Sequence, residues 1–116
     1  MPDIRELTTR IMQFIDERDW RQYHAHKNLL ISLAAEVGEL MEHFQWNEGE
    51  KLEEYIRDHK EDIADEVADV CIYLFEIAHN LDIDLSRAIE DKIAKNAIKY
   101  PLEKVRGNNK KYTEYV

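Results

Sequence analysis

Two acidic pairs dominate the chemistry open to this chain: Glu36-Val37-Gly38-Glu39 and Glu66-Val67-Ala68-Asp69. Residues three apart on a helix project from one face, so each segment presents two neighbouring carboxylates. Both pairs lie inside apolar runs, where an uncompensated negative charge is costly. No Lys or Arg occurs between Lys27 and Lys51, or between Lys60 and Arg87, to neutralise them locally. Four acids at the margin of a hydrophobic core, with no basic partner, predict a bound cation. All-oxygen ligands select a hard divalent ion, Mg²⁺ with Mn²⁺ as a substitute, and no clustered Cys or paired His offers a structural zinc site. A solvated acidic face is the plainer explanation of either pair alone. The coincidence of two pairs, each beside an apolar stripe, argues against it.

On the second acidic segment, Asp62, Glu66, Asp69 and Tyr73 follow one ridge at steps of four, three and four, with Asp65 alongside. Like charges at such spacings each destabilise a helix by ~0.2–0.5 kcal/mol, a cost that a cation between them would reverse. Glu76-Ile77-Ala78-His79 has the Glu-x-x-His spacing of di-iron bundles, but it occurs once and is expected to point away from the core stripe. Trp20, Tyr23 and His24 precede the first acidic segment and Trp46 follows it, positions from which rings could sandwich a base. Lys92, Asn96 and Lys99 form a polar ridge near the C-terminal end, fit for phosphate oxygens or for water. His26, His43, His59 and His79 lack ligand spacing and are expected at surface or capping positions.

Four helices position these groups. The first covers about residues 3–18, with Ile4, Leu7, Ile11, Phe14 and Ile15 at helical spacing. The second covers about 27–45 and is apolar nearly all round, its main stripe Leu29, Leu33, Val37, Leu40 and Phe44; such a helix must be buried on several sides, which in a small domain predicts a subunit interface. The third runs from about 58 to 80, with an earlier start after the Trp46-Asn47-Glu48-Gly49 loop as the alternative, and carries the stripe Ile63, Val67, Val70, Leu74 and Ala78. The fourth covers about 84–100, capped by Asp84 and stopped by Pro101. If the second and third helices pack antiparallel, both acidic pairs converge on one cavity.

With 116 residues the chain has the size of one domain, and only three Gly and two Pro leave its long middle unpunctuated, against a β-meander. Cys71 is expected to be a small core residue. Neither a signal peptide nor a membrane-length apolar run is evident, so a cytoplasmic protein with no membrane partner is expected. The net charge of −9 conceals a division: residues 28–86 carry sixteen acidic and three basic groups, whereas residues 87–116 carry eight basic and four acidic. An acidic middle would repel a nucleic acid polymer. Metal in that middle and phosphate at the basic end is the arrangement a nucleotide-processing enzyme needs.

Taken together, these residues resemble the MazG-like all-α nucleoside triphosphate pyrophosphohydrolases, in particular the dCTP pyrophosphatase branch. The likeness rests on Arg18-Asp19-Trp20 with His24, Asn28-Leu29, the ExxE at Glu36-Glu39, Phe44-Gln45-Trp46, and Asp65-Glu66-Val67-Ala68-Asp69-Val70 with Tyr73-Leu74. It continues through Lys92, Asn96, Tyr100-Pro101, Arg106-Gly107 and Lys111-Tyr112-Thr113-Glu114, and so covers nearly the whole chain. The resemblance implies a four-helix MazG-like bundle assembled into a homodimer or homotetramer. Residues 1–105 would form the catalytic domain, and 106–116 a basic tail completing or covering the site. It further implies that Glu36, Glu39, Glu66 and Asp69 bind Mg²⁺ and act in catalysis, and that Trp20, His24, Trp46 and Tyr73 line the base and sugar pocket. Lys92, Asn96 and Tyr100, with Lys111 and Tyr112, would hold the triphosphate. The implied reaction is hydrolysis of dCTP, or of modified and non-canonical nucleotides, to the monophosphate and pyrophosphate. Two positions depart from the pattern: His26 replaces a Pro, and Ile11 stands where a pocket His is expected, a change bearing on base preference. The rival from another class is a non-catalytic helical module whose acidic face binds a protein.

Overall fold

The computed structural model describes residues 1–107, and every regular element among them is helical. Helix α1 (Ile4–Glu17) starts at Asp3, whose side chain accepts the Glu6 N–H at 2.8 Å. Its other end is a Schellman closure. The Trp20 N–H reaches the Ile15 carbonyl and the Asp19 N–H the Asp16 carbonyl, with Asp19 in the left-handed region at φ 53°. A short 3₁₀ turn (Arg21–Tyr23) leads into α2 (His26–Gln45).

Beyond α2 the structure departs from a single long third helix. A separate helix α3 (Gly49–Asp58) precedes α4 (Lys60–Asn80), so the alternative of an earlier start describes the region better, with a break at His59. The break is tied down by rings. His59 stacks on Tyr55 at 3.9 Å between centroids, and the Tyr55 hydroxyl lies 2.8 Å from His43 Nδ1 on α2. His59 thus stands at a cap position, as one of the two roles expected of it, whereas His43 is a half-buried packing partner of Tyr55 and neither a surface nor a capping residue. Helix α4 ends in a second Schellman closure, Ile83 N–H to the Ala78 carbonyl at 2.8 Å, with Asp82 left-handed at φ 56°.

These elements make one compact unit, Met1–Ile83, in which α2 packs most extensively on α4 and α1 packs on α4 beside it. Its buried apolar side chains are Met12, Ile15, Leu29 and Ala78. Burial is thinner than the sequence stripes imply. Val37 and Phe44 on α2, and Val67 and Leu74 on α4, remain exposed. The described residues from Asp84 to Gly107 belong to a second unit. There α5 (Leu85–Lys99) is capped by Asp84, which accepts the Arg87 N–H at 3.2 Å, and Pro101 separates it from the single turn α6 (Leu102–Val105). No described helix is long and apolar enough to cross a membrane.

Candidate metal centre and adjoining cavity

Packing of α2 on α4 turns the two acidic motifs toward each other. Glu36, Glu39 and Glu66 each place a carboxylate oxygen within 4.8 Å of the others. The widest separation across an octahedral shell of ~2.1 Å radius is ~4.2 Å, so a small adjustment closes the three around one ion. One oxygen of Glu36 and one of Glu66, both Oε2, are buried with no hydrogen-bond partner. Burial pushes the Glu36 carboxyl up to about 7; contact with Glu66 and the charges of Glu39 and Asp69 add to the shift. Burial likewise raises Glu66. Without a cation, the pair relieves its repulsion by retaining a proton near neutrality. An oxygen-only donor set with two orphaned buried oxygens fits a hard divalent cation. Asp69 stands just outside the triad: its charge acts on both Glu36 and Glu66, and its side chain lines the cavity beside them.

That cavity has a volume of about 640 Å³, in the range of small-molecule sites. Leu7, Ile11, Phe14 and Ile15 of α1 line it together with Ala68, Ile72 and Phe75 of α4, and Arg10 adds the one charged side chain from α1. Trp20, His24 and Tyr73 also line it. The closure of α1 explains how Trp20 gets there: the Schellman turn folds the chain back, and the indole packs edge-to-face on Phe14 at 5.8 Å. Ile11, the position that departs from the resembled pattern, does line this cavity.

Of the residues singled out from sequence, Glu36, Asp69, Trp20, His24 and Tyr73 share the cavity wall, and Glu39 and Glu66 join Glu36 in the acidic triad. Trp46 is not brought to the cavity; it caps the C-terminal end of α2 and is 77% exposed. Lys92 and Asn96 are exposed on α5 and Tyr100 sits at its end, all in the second unit. Lys111 and Tyr112 lie outside the described residues.

Sequence reasoning missed Glu76. It points inward, not away: it is 1% exposed and lines the cavity, while His79 of the same Glu-x-x-His spacing is exposed, which disposes of a paired ligand role. The available signal was the ridge Asp62–Glu66–Asp69–Tyr73, which a further step of three extends to Glu76. Its partner was invisible, because His24, whose Nδ1 lies 2.7 Å from Glu76 Oε2, is 52 residues away.

The sequence profile of the MazG-like family matches residues 31–115. The chain is 40% identical over 116 residues to dCTP pyrophosphatase 1 of Rattus norvegicus, an alignment covering 98% of this chain and 66% of the relative. The Homo sapiens dCTP pyrophosphatase 1 is 39% identical, with 98% and 66% covered. The chain thus spans just under two thirds of the length of these relatives. Among solved structures, a pyrophosphatase from Archaeoglobus fulgidus superposes with a TM-score of 0.80 at 37% identity, covering 87% of this chain and 94% of the other.

Proposed function

This chain belongs to the MazG-like family, and on that premise we propose that it is a divalent-metal-dependent nucleoside triphosphate pyrophosphohydrolase. Its substrate is dCTP or a modified form of it, converted to the monophosphate and pyrophosphate in the upkeep of the nucleotide pool. The observation carrying this reading is the pairing of two unsatisfied buried carboxylate oxygens, one from each of two helices, with a cavity of nucleoside size whose wall includes Glu36. The names of the aligned relatives and of the superposed structure support it.

Glu36, Glu39, Glu66 and Asp69 would hold Mg²⁺, or Mn²⁺ in its place. Bound there, the cation supplies Lewis acidity: it offsets the charge of phosphate oxygens and acidifies water. The protein does the rest by positioning. Trp20 offers an aromatic surface for the base, and the apolar α1 wall excludes water from it. His24 and Tyr73 supply polar contacts to base and sugar. Lys92, Asn96 and Tyr100, with Lys111 and Tyr112 of the tail, bind the triphosphate, in a homo-oligomer from a neighbouring subunit. Trp46, exposed on one chain, is assigned to the base pocket on the same terms. Residues 1–105 form the catalytic domain and 106–116 complete the site, in a cytoplasmic homodimer or homotetramer with no nucleic acid or membrane partner.

A pyrophosphate-release assay over the common and modified nucleotides, with Mg²⁺ and with EDTA, tests the reading. Metal-dependent release is expected, greatest on cytosine nucleotides. Glu66→Gln and Asp69→Asn should lower kcat by about 100-fold or more while melting cooperatively. Release from no nucleotide would leave the acidic helices as a protein-binding surface.

A further inference from the structure

Among the polar groups lining the cavity, Glu76 is the most deeply buried and has no part in the proposed metal chemistry. Glu76 is 1% exposed among apolar neighbours on α4, a placement that costs several kcal/mol unless the carboxylate is paired. One oxygen, Oε2, is paired, accepting from His24 Nδ1–H at 2.7 Å. The other, Oε1, meets no hydrogen-bond donor among the described residues, although the side chain lines the cavity. An ionised carboxylate only accepts hydrogen bonds, so the unclaimed oxygen asks its ligand for a donor. Glu76 is seven residues beyond Asp69, hence on the same face of α4 and roughly 10 Å further along its axis. That interval matches the span of a nucleoside whose phosphates meet Asp69 and its neighbours.

We propose that Glu76, held in place by His24, is the specificity-determining residue for the base, accepting a hydrogen bond from the exocyclic amine of a 4-aminopyrimidine. The assignment rests on the nucleotide reading above. Cytosine presents an amine donor at this edge, the kind of group with which Glu and Asp pair. Uracil and thymine present a carbonyl oxygen there, and acceptor facing acceptor in a water-poor cavity rejects them. Leu7, Ile11, Phe14 and Ile15 of α1 contribute shape without polarity, and Arg10, the polar residue of that wall, only donates hydrogen bonds, which leaves the acceptance of an amine to the Glu76–His24 pair.

Two measurements test it. In the wild-type enzyme with Mg²⁺, the deoxyribonucleoside triphosphate of 2-pyrimidinone, which lacks the amine but adds no bulk, should show a KM at least about tenfold above that of dCTP. In Glu76→Gln, whose amide can donate to a carbonyl, the preference for dCTP over dUTP in kcat/KM should fall at least about tenfold, with the change carried by KM. Equal KM values for dCTP and the 2-pyrimidinone nucleotide overturn the proposal whether or not the variant folds. So does a folded Glu76→Gln that keeps wild-type selectivity. A wild type that releases pyrophosphate from no nucleotide is a different failure, removing the nucleotide reading and this assignment together.

Discussion

Glu36 and Glu66 carry the strongest charge conflict in the molecule, and the conflict sets a pH signature. Both carboxyls are raised by burial, Glu36 from its ordinary 4.5 to about 7. Between those values the folded protein binds protons that the unfolded chain releases. The contribution of Glu36 is therefore fully present below pH 4.5 and is lost as pH rises through about 7, and that of Glu66 changes with pH in the same direction. Metal-free protein in EDTA should accordingly lose melting temperature between pH 5.5 and pH 8, and Glu36→Gln should flatten that slope. Added Mg²⁺ should recover the loss at pH 8 by mass action, since the cation replaces the proton. Thermal melts of both proteins at the two pH values decide it. An identical slope in wild type and Glu36→Gln would sink the shared-proton account.

At the scale of elements, the site depends on how α2 lies on α4 and how α1 closes. Leu29, on the first turns of α2, is 1% exposed and sits in the small core of the first unit. Leu29→Ala should cost about 2–5 kcal/mol in urea unfolding, the range for a cavity left at a buried leucine. A loss under 1 kcal/mol would mean that the core relaxes around the gap. The helix closures make a prediction of opposite sign. Asp82 holds a left-handed conformation at φ 56°, which glycine adopts without the steric penalty of a Cβ. Asp82→Gly should stabilise by about 0.5–1 kcal/mol, and a destabilised variant would show that the Asp side chain contributes more than the strain it carries. Asp19 has the same conformation, but its turn delivers Trp20 to the cavity, so the Asp82 closure is the cleaner test.

For the whole molecule, the surface is as informative as the core. Helix α2 leaves Leu30, Ile31, Met41 and Phe44 exposed, with Ile31 at 60% and Met41 at 63%. Exposed apolar side chains along one helix are costly in water and are the composition of a subunit interface. The net charge of −9 opposes nonspecific association, so the proposed assembly would require a defined apolar face. Light scattering on the purified protein should give a dimer or tetramer, and Met41→Glu should shift it toward the monomer. A monomeric wild type at micromolar concentration would contradict the assembly proposed above.

The helical class, the bounds of α1, α2 and α5 to within a residue or two, the Asp84 cap and the two acidic motifs can all be read from the sequence alone. Each of these is local. Period, cap chemistry and the absence of nearby cations are written within a few residues of the feature they define. The long third helix was legible only in part, because its break at His59 is fixed by Tyr55 and by His43, twelve residues from Tyr55 and on another helix. That Glu36, Glu39 and Glu66 form the tight triad with Asp69 beside it, and that Trp46 stays outside the cavity, follows from how the helices pack. Only the tertiary structure turned Glu76 inward to meet His24. A helical wheel gives the direction of a side chain about its own axis; what it meets is set by the packing of other helices, and a pair 52 residues apart leaves no periodic trace in the chain.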